Sequence, residues 1–568
     1  MTTIKKPKKQ KLRNAEYYDL QATFDKLYLE SKNGKTFTKI MPIILSENNI
    51  RLAYRNLKRN SGSKTAGTDN KTIKDLETWK EPDLVRYVRK RLEWYIPQPV
   101  RRVEIAKDNG KTRPLGIPTI QDRLIQQCFL QVLEPICEAK FHDRSFGFRP
   151  NRSQENAVAV AYSLMQIQHL HFVVDLDIKG FFDNVSHGKL LRQMWSLGIR
   201  DKTVLSILSA MLKAEVAGIG FPEKGTPQGG IISPLLSNIV LNELDWWISS
   251  QWETMPMRKN YVRTRKDNGV AEKTYAYKVL REKSRLKECY GLRYADDFRI
   301  FCRRRQDAEK LFIATQKWLK ERLGLDISPE KSQIVNLKRK YSEFLGFKMM
   351  VKPNGKSGSK TRYTVVSHVS EKRKKKIKKR ASELVAKIKF PADKFEEHKF
   401  IMDYNSYVMG IHNYYSMATH ANQDFSEIGF SVKRTMKCRI GQRLKKSGNS
   451  LPQYVQEKYG RSKELRYIRG LFVLPISYVQ TRAPKHRPRN WCVYTPEGRA
   501  QVHKSLEKVN LSILHYLMEH PVPSESIEYN DNRLALYCAQ QGKCAVTGAP
   551  LKIGDVHCHH KTRRADGG

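Results

Sequence analysis

Apolar and polar positions change period several times along this chain, and each change predicts an element. Residues 17–29 and 40–57 carry apolar side chains at helical spacing. A Gly/Ser/Asn stretch at 60–69 then reads as a loop. Residues 84–94 form a basic helical pattern that Pro97 and Pro99 end, 100–106 alternate as a strand, and 107–111 read as a hairpin turn. Residues 121–138 return to an amphipathic helix. Over 171–178 the period is two. Phe172, Val174, Leu176 and Ile178 share one face, and Asp175 and Asp177 share the other. Pro227-Gln228-Gly229-Gly230 opens a helix at 231–244. Short apolar runs at 290–292 and 298–301 flank Tyr294-Ala295-Asp296-Asp297, which predicts a β-hairpin with two acids at its tip. Further helices are predicted at 307–323, from 371 onward in a nearly all-basic run, and at 398–417. Residues 352–368 read as a Gly/Lys/Ser linker and a strand.

The acids change the picture. A carboxylate on an otherwise apolar strand is costly unless it is paired or bound to metal. A strand acid together with a hairpin acid pair is what two-metal phosphoryl transfer requires, with two Mg²⁺ ions roughly 3.5–4 Å apart clamping the attacking and leaving oxygens. Composition points the same way. The 568 residues hold 105 Lys+Arg against 57 Asp+Glu, a formal charge of +48. The positive charge is clustered, and such an excess predicts a polyanionic partner. No apolar run reaches 18 residues, so no membrane span is expected. The basic N-terminus (residues 5–13) lacks the apolar core of a secretory signal. Nine scattered cysteines, several in apolar contexts such as Cys128 and Cys302, suggest reduced thiols. Together these predict a cytoplasmic protein associated with nucleic acid.

Three stretches then carry a resemblance. FVVDLDIKGFFDNVSH (172–187), GTPQGGIISPLLSNIVLNELD (225–245) and RYADDF (293–298) resemble successive blocks of reverse transcriptases, most closely those encoded by bacterial group II introns. The resemblance implies an α+β fold: a right-hand polymerase with fingers and palm, then a helical thumb and small C-terminal modules. It implies that Asp177 and Asp296 bind two Mg²⁺ ions, that the backbone carbonyl of Ile178 completes one of them, and that Asp297 assists. Asp175, outside the motif, is read as structural or as a support behind the metal-binding acids. Phe182 stands where an aromatic ring excludes a 2′-hydroxyl, so dNTPs are expected over rNTPs. Gln228 is expected to meet the nucleotide. Arg113 is the expected triphosphate contact, with Lys111 or Lys107 assisting, and Lys331 is expected near the departing pyrophosphate. Arg149 is expected near nucleotide or template.

The resemblance also orders the chain. Residues 1–75 look like the N-terminal extension, 76–365 like fingers and palm, and 246–290 like an insertion that either binds intron RNA or is a solvated loop. Residues 366–450 look like the thumb, where Gly410-Ile411-His412-Asn413-Tyr414-Tyr415 resembles the maturase signature and Lys374, Lys375 and Lys376 are expected on duplex phosphates. Residues 451–530 resemble a DNA-binding region, closing on a short acidic linker at 525–528. Residues 531–568, with Cys544, Cys558 and His559-His560, look like the first half of an HNH endonuclease, His559 as metal ligand (Mg²⁺ or Zn²⁺) and His560 as base. Thr547 replaces one Cys of the pattern and the later Asn and His are missing, so cleavage is doubtful, and losing 531–568 is expected to cost the polymerase little. The function implied is RNA-directed DNA synthesis plus maturase activity on the chain's own intron RNA. The expected partners are that RNA, target DNA, an RNA template with DNA primer, and dNTPs. The oligomeric state stays open. Two rivals are a reverse transcriptase serving phage defence or a CRISPR array, and a splicing factor with a dead polymerase. The thumb signature and the half motif argue against the first, and the intact acids against the second.

Overall fold

The strand of period two, Phe172–Leu176, lies inside a four-stranded antiparallel sheet. It pairs on one side with Asp297–Cys302 and on the other with Gln333–Asn336, and Cys289–Tyr294 closes the outer edge as the hairpin partner of Asp297–Cys302. This is a computed structural model; it describes residues 14–558, apart from 107–109, 111, 258, 266–270, 489–490, 503–509, 545–546, 555 and 557. The basic N-terminal arm, Lys107, Lys111, His559 and His560 therefore lie outside the described residues.

Helices cover the sheet and extend it. Ile120–Glu138 is buried almost throughout and packs on Gln21–Lys32 and Glu47–Lys58. Its N-cap Thr119 accepts from the backbone N–H of Asp122, which fixes the start of the helix after the two-stranded ribbon Arg101–Ala106/Thr112–Ile117. Ser233–Ser250 runs six residues beyond the predicted end, because Trp247 and Ile248 continue its apolar period. The strand predicted within 352–368 is present, and the predicted linker is strand as well: Phe347–Ser357 and Lys360–Val369 form one long hairpin. Lys352 and Lys356, a poor strand signal, are exposed, while Val351, Val365 and Val366 are buried. Mixed helix and strand content fits the α+β expectation.

Two predicted boundaries do not hold as breaks in packing. The helices Glu371–Lys389, Lys394–Tyr415 and Ala421–Ile440 bundle together. The segment after residue 450 folds back onto them. Asn405 Nδ2 donates to the carbonyl of Phe472 at 2.7 Å, and Leu474 N donates to Asn405 Oδ1 at 2.9 Å. His412 is buried between the hydroxyl of Tyr459 and the carbonyl of Ile476, each 2.9 Å from a ring nitrogen.

The second correction concerns 525–531. The predicted acidic linker and the cut at 531 fall within and beside one helix, Ile527–Ala539, whose Ser526 cap accepts from Tyr529 N–H. Its acids anchor it to the start of the chain. Arg55, fully buried, pairs with Asp531 at 2.7 Å, and the Tyr18 hydroxyl donates to the same carboxylate at 2.9 Å. Tyr54 donates to Glu528 at 2.9 Å, and Lys58 also pairs with Glu528. Leaving one charge of a buried pair alone costs about 3–5 kcal/mol. Loss of residues 531–568 therefore removes part of the N-terminal packing and is not neutral to stability.

Candidate active site

The hairpin turn is held from below by its own flanks. Tyr294 and Asp297 pair across it, leaving Ala295 and Asp296 as the two-residue tip, with Ala295 in the left-handed region at φ 58°. Arg293 is buried beneath. Its guanidinium grips Asp245 through Nε and Nη2 at 2.7–2.9 Å, reaches Asn238 at 2.9 Å, and donates to the carbonyl of Ala295 at 2.8 Å. The segment around Gly147 runs directly under the tip. A Cβ on Gly147 would stand 2.2 Å from the backbone nitrogen of Ala295, so no larger residue fits. The acid tip is thereby fixed by Asp245 and Asn238 on one helix and by residues 145–147 on another segment. Sequence reasoning missed Arg293, although a charged residue inside an apolar strand signalled a buried partner.

Register brings the second acid strand alongside. Asp175 faces Arg299 across the pair of strands and Leu176 faces Phe298, so Asp177 emerges next to the hairpin tip. Asp177, Asp296 and Asp297 open onto one cleft of about 580 Å³, lined also by Asp175, Arg299, Lys331, Tyr341 and Glu343. Asp175 is buried. It pairs with Arg299 Nε at 2.7 Å and accepts from the Ser342 hydroxyl at 2.9 Å. The same Arg299 donates to Asp297 at 2.6 Å, to the carbonyl of Glu343 at 2.6 Å, and sits 5.4 Å from the centre of the Phe344 ring. Asp297 is pushed up to about 6. Desolvation is the main cause, Arg299 opposes it, and the carboxylates of Asp175, Asp296 and Asp177 add to it. Lys331 Nζ lies 3.0 Å from Asp177 Oδ2.

The carbonyls used across the bridge between Ile178 and Ile327 are those of Asp177 and Asp326, so this bridge does not engage the Ile178 carbonyl. Among the described residues no group of three or more His, Cys, Asp or Glu is arranged to hold a metal ion. A cation at this cleft would therefore rely on two carboxylates supplemented by backbone oxygen or water, hard oxygen donors that suit Mg²⁺.

Beside the cleft a second set of predicted residues comes together. Gln228 accepts from Arg113 Nε at 2.6 Å and donates to Asp183 at 3.2 Å. Backbone N–H groups of Gly225 and Thr226 donate to the carbonyls of Val185 and Phe182 at 2.7 Å, which seats the loop against the turn carrying half-buried Phe182. Gly229 touches the ribbon so closely that a Cβ would lie 2.3 Å from the carbonyl of Gly116. Gln228 thus meets Arg113, and its loop is seated on the turn that carries Phe182.

Two expected nucleic-acid contacts do not survive. Arg149 is buried in a double hydrogen bond to Glu138 (2.7 and 2.8 Å) and donates to the carbonyls of His142 and Ser145, so no donor face remains for a nucleotide or template. Lys374 is buried between Asp424 at 2.8 Å and Glu427 at 2.9 Å. Lys375 and Lys376 are exposed on the same helix. Tyr414 and Tyr415 pack against Phe347, and Tyr414 donates to the carbonyl of Leu345 at 2.8 Å, so both aromatics serve packing here.

Comparison with known proteins agrees with this geometry. Residues 105–349, which contain the whole cleft, match the family described as reverse transcriptase (RNA-dependent DNA polymerase). The group II intron-encoded protein LtrA of Lactococcus lactis subsp. cremoris is 31% identical over 451 residues, covering 69% of this chain and 74% of the relative. Protein YkfC of Escherichia coli (strain K12) is 34% identical over 265 residues, 45% of this chain and 68% of the relative. The putative COX1/OXI3 intron 2 protein of Saccharomyces cerevisiae is 28% identical over 358 residues, 57% of this chain and 41% of the relative. No helix among the described residues is long and apolar enough to cross a membrane. With its paired acidic strands inside the matched region and a relative aligned far beyond it, this chain belongs to the group II intron-encoded proteins, as an RNA-directed DNA polymerase and maturase.

Proposed function

We propose that Asp177 and Asp296, with the backbone carbonyl of Ile178, hold two Mg²⁺ ions for DNA synthesis on an RNA template, and that Asp297 assists. The supporting observation is that acids from two different strands open onto one cleft in which Lys331 and Arg299 are the cationic side chains. Bound Mg²⁺ supplies Lewis-acid charge to the phosphate undergoing in-line displacement. The chain's own residues do the rest. Arg293 fixes the height of the Asp296 tip through the Ala295 carbonyl. Arg299 orients Asp297. Arg113 offers the triphosphate a planar fork of donors, and Gln228 holds that fork in place until the nucleotide arrives. Lys331 leaves Asp177 for the departing pyrophosphate. Phe182 fills the space a 2′-hydroxyl needs.

In this reading the sheet and the helices beneath it are the palm, the ribbon at 101–117 belongs to the fingers, and the bundle at 371–440 is the thumb. Exposed Lys375 and Lys376 face template–primer phosphates. Intron RNA, target DNA and a DNA primer are the partners.

The test is primer extension on an RNA template in Mg²⁺. Asp177→Asn and Asp296→Asn each lose about 10²–10³-fold or more in rate, the scale for removing one electrostatic stabiliser, with RNA binding retained. Full extension by either variant overturns the assignment. Phe182→Ala raises rNTP use relative to dNTP use; an unchanged ratio makes the ring packing alone.

A further inference from the structure

The segment between Ser233–Ser250 and the acid hairpin is strongly basic. Residues 255–287 hold 11 Lys/Arg against 3 Asp/Glu. The segment's helix Thr274–Lys283 is anchored along one face by buried Ala276 and Leu280. Tyr277 stacks on fully buried Trp252 (6.0 Å, 20°) and meets Tyr290 edge-on (6.1 Å). Arg281 grips Glu288 through two hydrogen bonds of 2.6 and 2.9 Å.

Anchoring one face dictates what the other presents. Tyr275 and Lys278, three residues apart, stand one turn above each other and are 52% and 65% exposed. With Arg263, Glu272, Thr274 and Arg281 they line a groove of about 410 Å³. Tyr261 braces Tyr275 edge-on at 5.8 Å. Among the described residues Glu272 is the only acid in the lining, and Arg265 sits 3.6 Å from it. A half-exposed aromatic ring costs hydration without a structural return, because Tyr275 contributes nothing to the anchored face. An aromatic platform flanked by cations suits a base stacked on the ring with its phosphates on the lysine and arginine.

We propose that this groove is a binding site for an unpaired nucleotide of single-stranded RNA, stacked on Tyr275 with flanking phosphates on Arg263 and Lys278. The proposal rests on the RNA-binding reading above and names a place for it away from the polymerase cleft. A duplex, whose bases are already stacked, gains only the phosphate contacts there.

The full chain is tested with a fluorescent single-stranded uridine 12-mer that carries one 4-thiouridine, at roughly 0.5 M salt, where phosphate contacts are largely screened and stacking persists. Tyr275→Ala is expected to weaken binding about 5- to 150-fold, the range for loss of one stacked base, while Tyr275→Phe stays within about twofold. Photocrosslinks are expected on the peptide containing Tyr275. Wild-type affinity in Tyr275→Ala, or crosslinks that map only elsewhere, overturns the site. Tyr275 lies on the unanchored face, so folding is not at issue, and a thermal melt of each variant verifies this. Primer extension on a pre-annealed template–primer stays normal in both variants. Failure of the wild-type chain in that assay would count against the polymerase assignment and not against this groove.

Discussion

The acid cleft and the junction of the chain's two ends use the same chemical parts to opposite effect. At the junction Asp531 is sealed: buried, paired with buried Arg55, and hydrogen-bonded by Tyr18. At the cleft Arg299 is shared between buried Asp175 and the more open Asp297, while Asp296 is left exposed. The first arrangement satisfies every charge inside the protein and serves stability. The second leaves Asp296 exposed, which suits the metal site proposed above. A carboxylate near an arginine is therefore not a functional sign in itself; what matters is how much of its charge the protein has already balanced.

The sharpest way to break this comparison is to cut both sites. Asp531→Ala strands a buried guanidinium and is expected to lower stability by about 3–5 kcal/mol, with extension rate per folded molecule unchanged. Chemical denaturation with a parallel extension assay measures both. Asp296→Asn should do the reverse, losing rate as stated above while its melting temperature holds. A large stability loss in Asp296→Asn would mean the tip is built for packing after all.

An intermediate case sharpens the contrast. His412 is buried and held down to about 4, mainly by desolvation, with a smaller opposing effect from its hydrogen bond to the Ile476 carbonyl. Its neutral ring donates one N–H to that carbonyl and accepts from Tyr459. Its ordinary value is about 6.5. The folded state therefore binds the proton less readily than the unfolded state. The stability this group contributes is complete above pH 6.5 and is lost as pH falls from 6.5 through 4, about 2–3 kcal/mol by pH 4.5. Denaturation of wild type and His412→Gln at pH 7.5 and 4.5 checks it: the variant should lose less between the two. Equal losses would show that His412 takes a proton without cost.

The smallest effect lies within one helix. Lys375→Gln should flatten the salt dependence of RNA binding by about 0.7–0.9 in log–log slope, one phosphate contact. Lys374→Gln, one residue away, should leave that slope alone and destabilise the bundle. Equal slopes for wild type and both variants would make the helix solvent-facing throughout.

This pair also shows where the sequence stops being readable. Period two at 171–178 and the apolar flanks of Asp296-Asp297 told which strands carry acids, because strand geometry fixes faces locally. The meeting of Gln228 with Arg113 was legible only through resemblance. Lys374 and Lys375 are alike in sequence, and what separates them is Asp424 and Glu427, about 50 residues on. Arg149 likewise looked free until Glu138 was found beside it. The acids at 525–528 read as a linker because the partners of Glu528, Tyr54 and Lys58, stand about 470 residues earlier. Charge is written locally; its neutralisation is not.

That last distance has a consequence for how the protein is made. Arg55 leaves the ribosome 476 residues ahead of Asp531. At synthesis rates of about 5–20 residues per second, the N-terminal helices wait roughly half a minute to a minute and a half for the acid that completes them. Through that interval a guanidinium destined for the interior must stay in water, and the helix Glu47–Lys58 cannot close its final packing. The helix Ile527–Ala539 thus finishes one made near the start of the chain, and a nascent chain halted anywhere before residue 531 carries an open N-terminal core.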